Sequence, residues 1–440
     1  MGLMIVKRKS RLGSSTHYYL GNLLFSPLIL IIFILLSRLI ALLFFLPDDV
    51  TSFALDEKGY SEFVLELKSI IQGSSFSLES LQNVDLFYGS QALLIPASLI
   101  SYVGFEPLIS LRTISFLYSS ISVIVFYSIL CELHRVPSDM RFSFRDRTKL
   151  PILIPLLIFA FLPSHFLWSI LGLRESGVVL GLLCVVWAML NLFYGGIRRE
   201  SGNYSRYKHL VLFLGIILLF MSRESIGILV TTLLIIPFLI KAWVKRMFLF
   251  FVVVILATLL GFNFSHVPSP SSNELENFAQ RSFLVLKGLS TALSPDAIAR
   301  SQQMRSENTN LGIWSYLNED SIQSETPQNL QTKILLIYNF LIAGIRPLPI
   351  EENLSTIATY ASLENLFWIL LFSFFLISSF RILKSKERRL FFTCLITFFF
   401  VSNSFLIIYS GSVGTYFRHK SMFLGIILLV LSQQKNRIRL

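Results

Sequence analysis

Three residues, Asp56, Glu57 and Tyr60, could carry chemistry just beyond the first long apolar segment. Acidic side chains at the edge of a membrane are costly to keep near lipid and usually have a task. If the segment is helical, the i to i+4 spacing places Asp56 and Tyr60 on one face. A carboxylate there could deprotonate an acceptor hydroxyl as a general base, or bind a divalent cation through hard oxygens. The alternative is a solvated acidic loop that only enforces topology.

Two Arg-Glu pairs supply further charged groups. Arg174 and Glu175 lie where the third predicted crossing ends, and Arg223 and Glu224 lie at the tip of a hairpin of two short apolar runs. Glu175 could join Asp56 at a shared metal or acceptor site. The alternative for the first pair is a helix-terminal ion pair in which Arg174 extends to the lipid headgroups. For the second pair, the alternative is a polar cap that turns the chain.

Cationic residues late in the chain form the last candidate group. Arg346 precedes Pro347, and Arg418, His419 and Lys420 precede the final apolar run. The charge pattern places these last three residues outside, where basic residues are unusual. Guanidinium groups held at an outer interface suit a phosphate or diphosphate, since Arg can contact it through two N–H groups. Contact with ordinary lipid phosphates is the alternative.

The composition predicts a polytopic membrane protein with an all-α fold. Of the 440 residues, 54% are hydrophobic and 15% are charged, and the mean hydropathy is +0.67, which excludes an ordinary soluble protein and a disordered one. Many apolar runs exceed the roughly 18 residues of a spanning helix, while the alternation of an outer-membrane barrel is absent. The net charge of +12 lies in short basic clusters between apolar runs, which indicates cytoplasmic faces and no nucleic-acid partner.

The basic clusters predict about ten crossings, with both termini cytoplasmic. An acidic first outer loop, about 47–106, follows the first crossing. Within it, residues 88–103 are short and interrupted by Gly and Pro, so we expect them on the outer surface and not across the membrane. Residues 334–345 are expected on the outer interface of the second large loop. The predicted modules are 1–264 with the acidic site, 265–363 as the second outer loop, and 364–440 with the last transmembrane helices.

With these pieces placed, the chain resembles the GT-C membrane glycosyltransferases, which include protein O-mannosyltransferases and the bacterial transferases that decorate lipid A. Members carry an Asp in the first outer loop, often as Asp-Glu with a Tyr a few residues on, and Asp56, Glu57 and Tyr60 match this pattern. Surface-lying helices then end in a Gly followed by an Arg near the second crossing. Gly104 and Arg112 look similar.

The later motifs resemble bacterial, family 39-like members with no settled substrate. The family places a second acidic residue after the third crossing, at the position of Glu175. Arg346-Pro347 and the run Gly414-Thr415-Tyr416-Phe417-Arg418-His419 resemble the family's C-terminal pattern. The Lys-Pro-Pro-type signature of the lipid A branch is not seen, so the resemblance does not extend to that substrate.

The resemblance implies transfer of a hexose or pentose, with inversion, from a polyprenyl-phosphate donor in the lipid bilayer. The acceptor would be a glycan, lipid or protein on the outer face of the plasma (inner) membrane. The implied catalytic residues are Asp56, Glu57 and Glu175. The implied substrate-binding residues are Tyr60, Arg174, Arg223, Glu224, Arg346, Arg418 and His419, the last three stabilising the departing lipid phosphate. If a divalent cation, Mg²⁺ or Mn²⁺, takes part, its expected ligands are Asp56 and Glu175.

Three other functions fit the same sequence features less fully. A polysaccharide polymerase or ligase also uses lipid-linked glycans, but would depend on Arg and His of the late outer loop. A lipid or oligosaccharide flippase would line a path at mid-membrane with polar groups, whereas the charges gather at the outer edge. The exception is Arg38, inside the first crossing, which is either structural or lines a substrate groove. A scaffold that keeps the fold without activity is the third alternative.

Overall fold

The computed structural model of the chain describes residues 27–44, 55–72, 90–134, 150–194, 204–240, 356–384, 389–409 and 418–433. Every regular element in these ranges is helical, which confirms the all-α prediction for this part of the chain. The helices are α1 (Pro27–Phe44), α2 (Leu55–Gln72), α3 (Gln91–Tyr102), α4 (Pro107–Leu133), α5 (Leu150–Phe161), α6 (Pro163–Ile170), α7 (Glu175–Tyr194), α8 (Tyr204–Ser222), α9 (Glu224–Ile240), α10 (Thr356–Lys384), α11 (Arg389–Tyr409) and α12 (Leu424–Ser432), with a 3₁₀ turn at Ser421–Phe423 before α12.

Several helices have the length and composition of membrane spans. Within the described ranges, α4, α7 and α10 are long and apolar enough to cross a membrane, and the bent pair of α5 and α6 makes a fourth if it counts as one span. These helices support a membrane protein with several crossings. Residues 247–264, 265–355 and most of the remaining connections lie outside the described ranges. The count of about ten crossings therefore stays a prediction.

The bend between α5 and α6 has a local cause. The two axes differ by 58°, and the break falls at Leu162, whose φ of −58° and ψ of 123° are not helical. Pro163 follows, and a proline disfavours helical backbone at the residue before it. The break lets α6 begin beside α10, which it contacts.

Helices α2, α3 and α4 form a small core of their own. On α2, the buried Tyr60, Val64 and Leu67 recur at helical spacing and pack with residues of α3 and α4 such as Leu94 and Leu111. The opposite side of α2 is charged, so α2 is an amphipathic helix that lies on α3 and α4. Helix α3 has 12 residues, too few to span a bilayer by itself. This length agrees with the expectation for residues 88–103, whose position in the membrane stays a prediction.

Helices α7 and α8 approach each other through glycines. A Cβ atom on Gly181 would lie 3.0 Å from the Gly215 carbonyl oxygen, and one on Gly215 would lie 3.1 Å from the Gly181 carbonyl oxygen. Gly177, one turn before Gly181, meets the Ser222 side chain in the same way. Small residues spaced by four let helix backbones pack closely in membranes. The close contact places the first residues of α7 beside the last residues of α8.

Arg38 has a structural environment in the bundle. Its side chain is fully buried and donates from Nη1 to the Ser119 carbonyl oxygen at 2.9 Å and from Nη2 to the Ala160 carbonyl oxygen at 3.4 Å. Carbonyl oxygens of α4 and α5 therefore accept hydrogen bonds from the buried guanidinium within the bundle. Of the two interpretations from sequence, these contacts favour the structural one.

Candidate active site

Asp56 and Glu175 meet at one guanidinium group, that of Arg418. Arg418 Nη1 lies 2.6 Å from Asp56 Oδ2, and Arg418 Nε lies 3.0 Å from Glu175 Oε1. Asp56 stands in the first turn of α2, Glu175 begins α7, and Arg418 precedes the 3₁₀ turn. The Asp56 side chain is 48% exposed and that of Glu175 is 3% exposed. The pair thus offers one carboxylate accessible to a substrate and one enclosed by protein.

The two carboxylates outweigh burial at Arg418. Removal from water lowers the pKa of this guanidinium, but Glu175 and Asp56 raise it further than burial lowers it. Arg418 is therefore a permanent cation that binds both acidic groups at once. A charge-assisted contact of this kind is stronger than one between neutral groups.

Arg223 brings a second half-buried guanidinium to the site. Burial lowers its pKa to about 10, the Arg174 and Arg418 charges lower it as well, and Glu175 acts in the opposite direction. Its Nη1 atom is buried and has no hydrogen-bond partner among the described residues. A buried donor of this kind requires an explanation, since nearly all such groups in proteins are paired. An anion between Arg174, Arg223 and Arg418 would supply the missing acceptor.

His419 and Tyr60 complete the cluster as neutral groups. Burial, followed by the charges of Arg223, Arg418 and Arg174, holds the pKa of His419 well below its ordinary value. Its Nε2 atom lies 3.7 Å from Glu175 Oε1. Burial also raises the pKa of Tyr60, which shares a side-chain hydrogen bond with Ser90.

Glu57 has a different environment from its neighbour Asp56. It is fully buried, and its carboxylate accepts from Arg112 Nε at 2.9 Å and from Arg112 Nη2 at 3.0 Å. The backbone N–H of Gly172 donates to the same carboxylate. Successive helical residues point about 100° apart, so Glu57 turns away from Arg418. The Glu57 carboxylate thus joins α2, α4 and the turn before α7. These contacts favour a structural role, and a catalytic role of Glu57 stays a prediction.

Gly172 makes this buried ion pair possible. A Cβ atom there would lie 2.7 Å from Leu111 Cβ and 3.2 Å from Glu57 Oε1. Any other residue would push the turn away from α2 and α4. The turn leads directly to Arg174 and Glu175, so the Glu57 pair fixes the position of the acidic residue that binds Arg418.

The comparisons with known proteins found one similar structure. The chain is similar to ArnT from Cupriavidus metallidurans bound to undecaprenyl phosphate, with 14% sequence identity and a TM-score of 0.31. The similarity covers 79% of this chain and 67% of that chain. No family model matches the chain, and no curated protein matches it. The assignment of the site therefore rests on the chain's own residues.

The remaining predicted site residues lie at the margin of this cluster or outside the described ranges. Glu224, half-buried, begins α9 directly after Arg223. Arg346 lies outside the described residues.

The described residues around Asp56 and Glu175 offer few ligands for a divalent cation. No group of three or more His, Cys, Asp or Glu side chains in the described ranges is placed to hold a metal ion. Between Asp56 and Glu175, the expected ligands, lies the guanidinium of Arg418. Mg²⁺ requires several oxygen ligands, and the charges of Arg174 and Arg223 would repel it. Binding of a metal ion by Asp56 and Glu175 therefore stays a prediction.

A small cavity lies against Glu175, with room for about one water molecule. Polar lining residues include His165, Trp168 and Ser421, and Asp56 is not among the lining residues. Arg418 connects the two carboxylates directly, and a shared metal or acceptor site at Asp56 and Glu175 stays a prediction.

Sequence reasoning missed two polar residues around the site, Ser90 and His165. It identified Arg112 only through its resemblance to the family pattern. A charged residue near the start of an apolar run, such as Arg112, was a usable signal because a buried arginine needs an acidic partner.

Proposed function

We propose that the chain is a GT-C-type glycosyltransferase that moves a sugar from a polyprenyl-phosphate donor to an acceptor hydroxyl at the outer face of the membrane. The observation that carries this proposal is the meeting of Asp56, Glu175 and Arg418 from three distant segments of a membrane protein. An exposed carboxylate beside clustered guanidinium groups suits an acceptor hydroxyl and a phosphate in one reaction.

The arginines would bind the donor's phosphate. Arg174, Arg223 and Arg418 bring three positive charges to two carboxylates, and Arg223 Nη1 still has an unused N–H within the described part of the chain. A sugar phosphodiester carries one negative charge, and its phosphate gains a second as the sugar leaves. Groups fixed around that phosphate therefore stabilise the transition state more than the bound donor.

Asp56 would act as the base. The acceptor oxygen forms a bond to the anomeric carbon while the bond from that carbon to the phosphate oxygen breaks. The hydroxyl proton passes to Asp56, and polyprenyl phosphate departs with the bonding electrons. A single displacement of this kind inverts the anomeric carbon, as the family resemblance implies.

Binding of the donor at Arg418 would free Asp56 to act as the base. Arg418 Nη1 lies 2.6 Å from Asp56 Oδ2, so this ion pair occupies the carboxylate that would receive the proton. A donor phosphate competes with Asp56 for the same guanidinium. Glu175 stays in contact with Arg418 and with the neutral His419, and this contact keeps Arg418 at the site.

A transfer assay tests this function. Membranes containing the full chain are incubated with a panel of radiolabelled polyprenyl-phosphate sugars, and release of polyprenyl phosphate is measured. We expect turnover by the wild type, a loss of at least about 100-fold in Asp56→Asn, and normal turnover in the control Lys58→Gln, which changes an exposed residue of α2.

Two results would favour the alternatives. Loss of turnover in Arg418→Ala but not in Asp56→Ala would indicate a polymerase or ligase. Translocation of lipid-linked glycan in vesicles that is unaffected by Asp56→Asn would indicate a flippase.

A further inference from the structure

A second polar cluster lies beside the site, around Lys420 of the late cationic group. Lys420, two residues after Arg418, is buried, and its Nζ donates to Asn365 Oδ1 of α10. The ammonium also lies 5.4 Å from the centre of the Trp368 ring. A buried ammonium is costly unless polar or aromatic groups receive it. These contacts therefore form a specific socket for one lysine side chain.

Glu364 holds the Trp368 side of this socket in place. Its Oε1 accepts from Trp368 Nε1 at 2.8 Å, which fixes the ring that faces Lys420. Its two oxygens also accept from the backbone N–H and the hydroxyl of Ser164, at 2.7 Å and 2.5 Å. Ser164 lies in the first turn of α6, where free N–H groups favour a carboxylate. Glu364 thus ties α6 to α10 and gives Trp368 a single orientation.

The polar atoms of this cluster already have hydrogen-bond partners, which distinguishes the cluster from a ligand site. Both oxygens of Glu364 already accept hydrogen bonds, and Lys420 Nζ already donates to Asn365. The cluster has the properties of an anchor, in which each polar group has a partner inside the protein.

The anchor lies where it can set the position of Arg418. The Ser421 hydroxyl donates to the Arg418 carbonyl oxygen at 2.7 Å, so residues 418–421 form one local turn. Lys420 fastens this turn to α10 on one side, while Arg418 reaches Asp56 and Glu175 on the other. Contacts of 2.6 and 3.0 Å tolerate little displacement, because charged hydrogen bonds weaken steeply with distance and angle.

We infer that Lys420 is a positioning residue for the phosphate-binding arginine, held in a socket of Glu364, Asn365 and Trp368, and that losing this anchor weakens donor binding more than turnover. The binding part rests on the proposed function. The structural part, that Lys420 orders residues 418–423, does not depend on it.

Three variants of the purified full chain in lipid nanodiscs test the inference. Lys420→Met removes the ammonium at similar length, Lys420→Arg keeps the charge, and Lys58→Met changes an exposed lysine of α2 as the matched control. Hydrogen exchange of residues 418–423 and affinity for undecaprenyl phosphate are measured on each, and KM and kcat are compared with a competent donor.

We expect faster exchange in Lys420→Met, with affinity about tenfold weaker, KM raised by a similar factor and kcat changed less than threefold. Lys420→Arg should restore most of the protection and affinity, and Lys58→Met should match the wild type. If Lys420→Met does not fold, Asn365→Ala, which removes the acceptor and keeps the lysine, should show the same changes in smaller measure.

The outcomes separate the two claims. Unchanged exchange and affinity in a folded Lys420→Met or Asn365→Ala variant would overturn the inference. Faster exchange in these variants, combined with no binding of undecaprenyl phosphate by the wild type, would support the anchor and count against the proposed function.

Discussion

Neighbouring acidic residues of α2 have opposite environments, and this difference gives the first prediction. Glu57→Gln leaves Arg112 buried without a counter-charge, which should lower the free energy of unfolding by about 3 to 5 kcal/mol. Asp56→Asn alters a carboxylate that is 48% exposed and should cost less than about 1 kcal/mol, while abolishing transfer. Thermal unfolding and the transfer assay check the two effects. Equal destabilisation by both variants would contradict the assignment of separate roles.

The pH dependence of the free energy of unfolding should show the effect of the lowered pKa of His419. Its pKa in the folded chain is depressed well below the ordinary value of 6.5 by burial and by Arg223, Arg418 and Arg174. The unfolded chain therefore binds the proton first, and stability present above pH 6.5 is lost as the pH falls toward the folded pKa, by up to about 1.4 kcal/mol per pH unit. His419→Asn should lose less stability than the wild type between pH 6.5 and 5. An equal fall in melting temperature for the two proteins across this pH interval would show that protonation of His419 does not destabilise the folded chain.

At the scale of elements, the contact between α7 and α8 determines whether Arg223 reaches Glu175. Gly181→Ala adds a Cβ atom 2.8 Å from Leu219 Cγ and 3.0 Å from the Gly215 carbonyl oxygen. We expect a loss of about 1 to 3 kcal/mol from overpacking and weaker binding of undecaprenyl phosphate. Gly59→Ala is the matched control, because nothing lies within 4 Å of its Cβ position. That change should leave unfolding unaltered or stabilise α2 by about 0.5 to 1 kcal/mol. Equal melting temperatures for Gly181→Ala and Gly59→Ala would argue against a close α7 and α8 contact.

The sequence predicted elements better than contacts between them. The helix that carries Asp56 and Tyr60 follows from residue spacing, which is a local property. The outer position of Arg418, which rests on the charge pattern, stays a prediction. The pairing of Arg418 with Asp56 joins residues 362 positions apart, and no local pattern encodes it. The resemblance implies a catalytic Glu57 as part of the Asp-Glu pattern, whereas the direction of the Glu57 side chain depends on Arg112, which lies in another helix.

At the scale of the whole molecule, the distribution of charge predicts on which side of the membrane each segment lies. Glu62 of α2 and Lys384 at the end of α10 are both exposed, and the predicted topology places them on opposite sides. A cysteine at Glu62 should react with an impermeant maleimide in intact cells, whereas a cysteine at Lys384 should react only after permeabilisation. Labelling of both positions in intact cells would contradict the predicted topology.

The central claim is that this molecule binds a lipid phosphate with its arginine cluster at the carboxylate that acts as base. The most direct test is the affinity of the purified full chain for undecaprenyl phosphate, measured for the wild type, Arg223→Gln and Asp56→Asn. We predict saturable binding by the wild type and at least tenfold weaker binding by Arg223→Gln. Asp56→Asn should bind at least as tightly as the wild type, because Asp56 no longer competes for Arg418. Absence of binding, or equal affinity of Arg223→Gln and the wild type, would contradict the account.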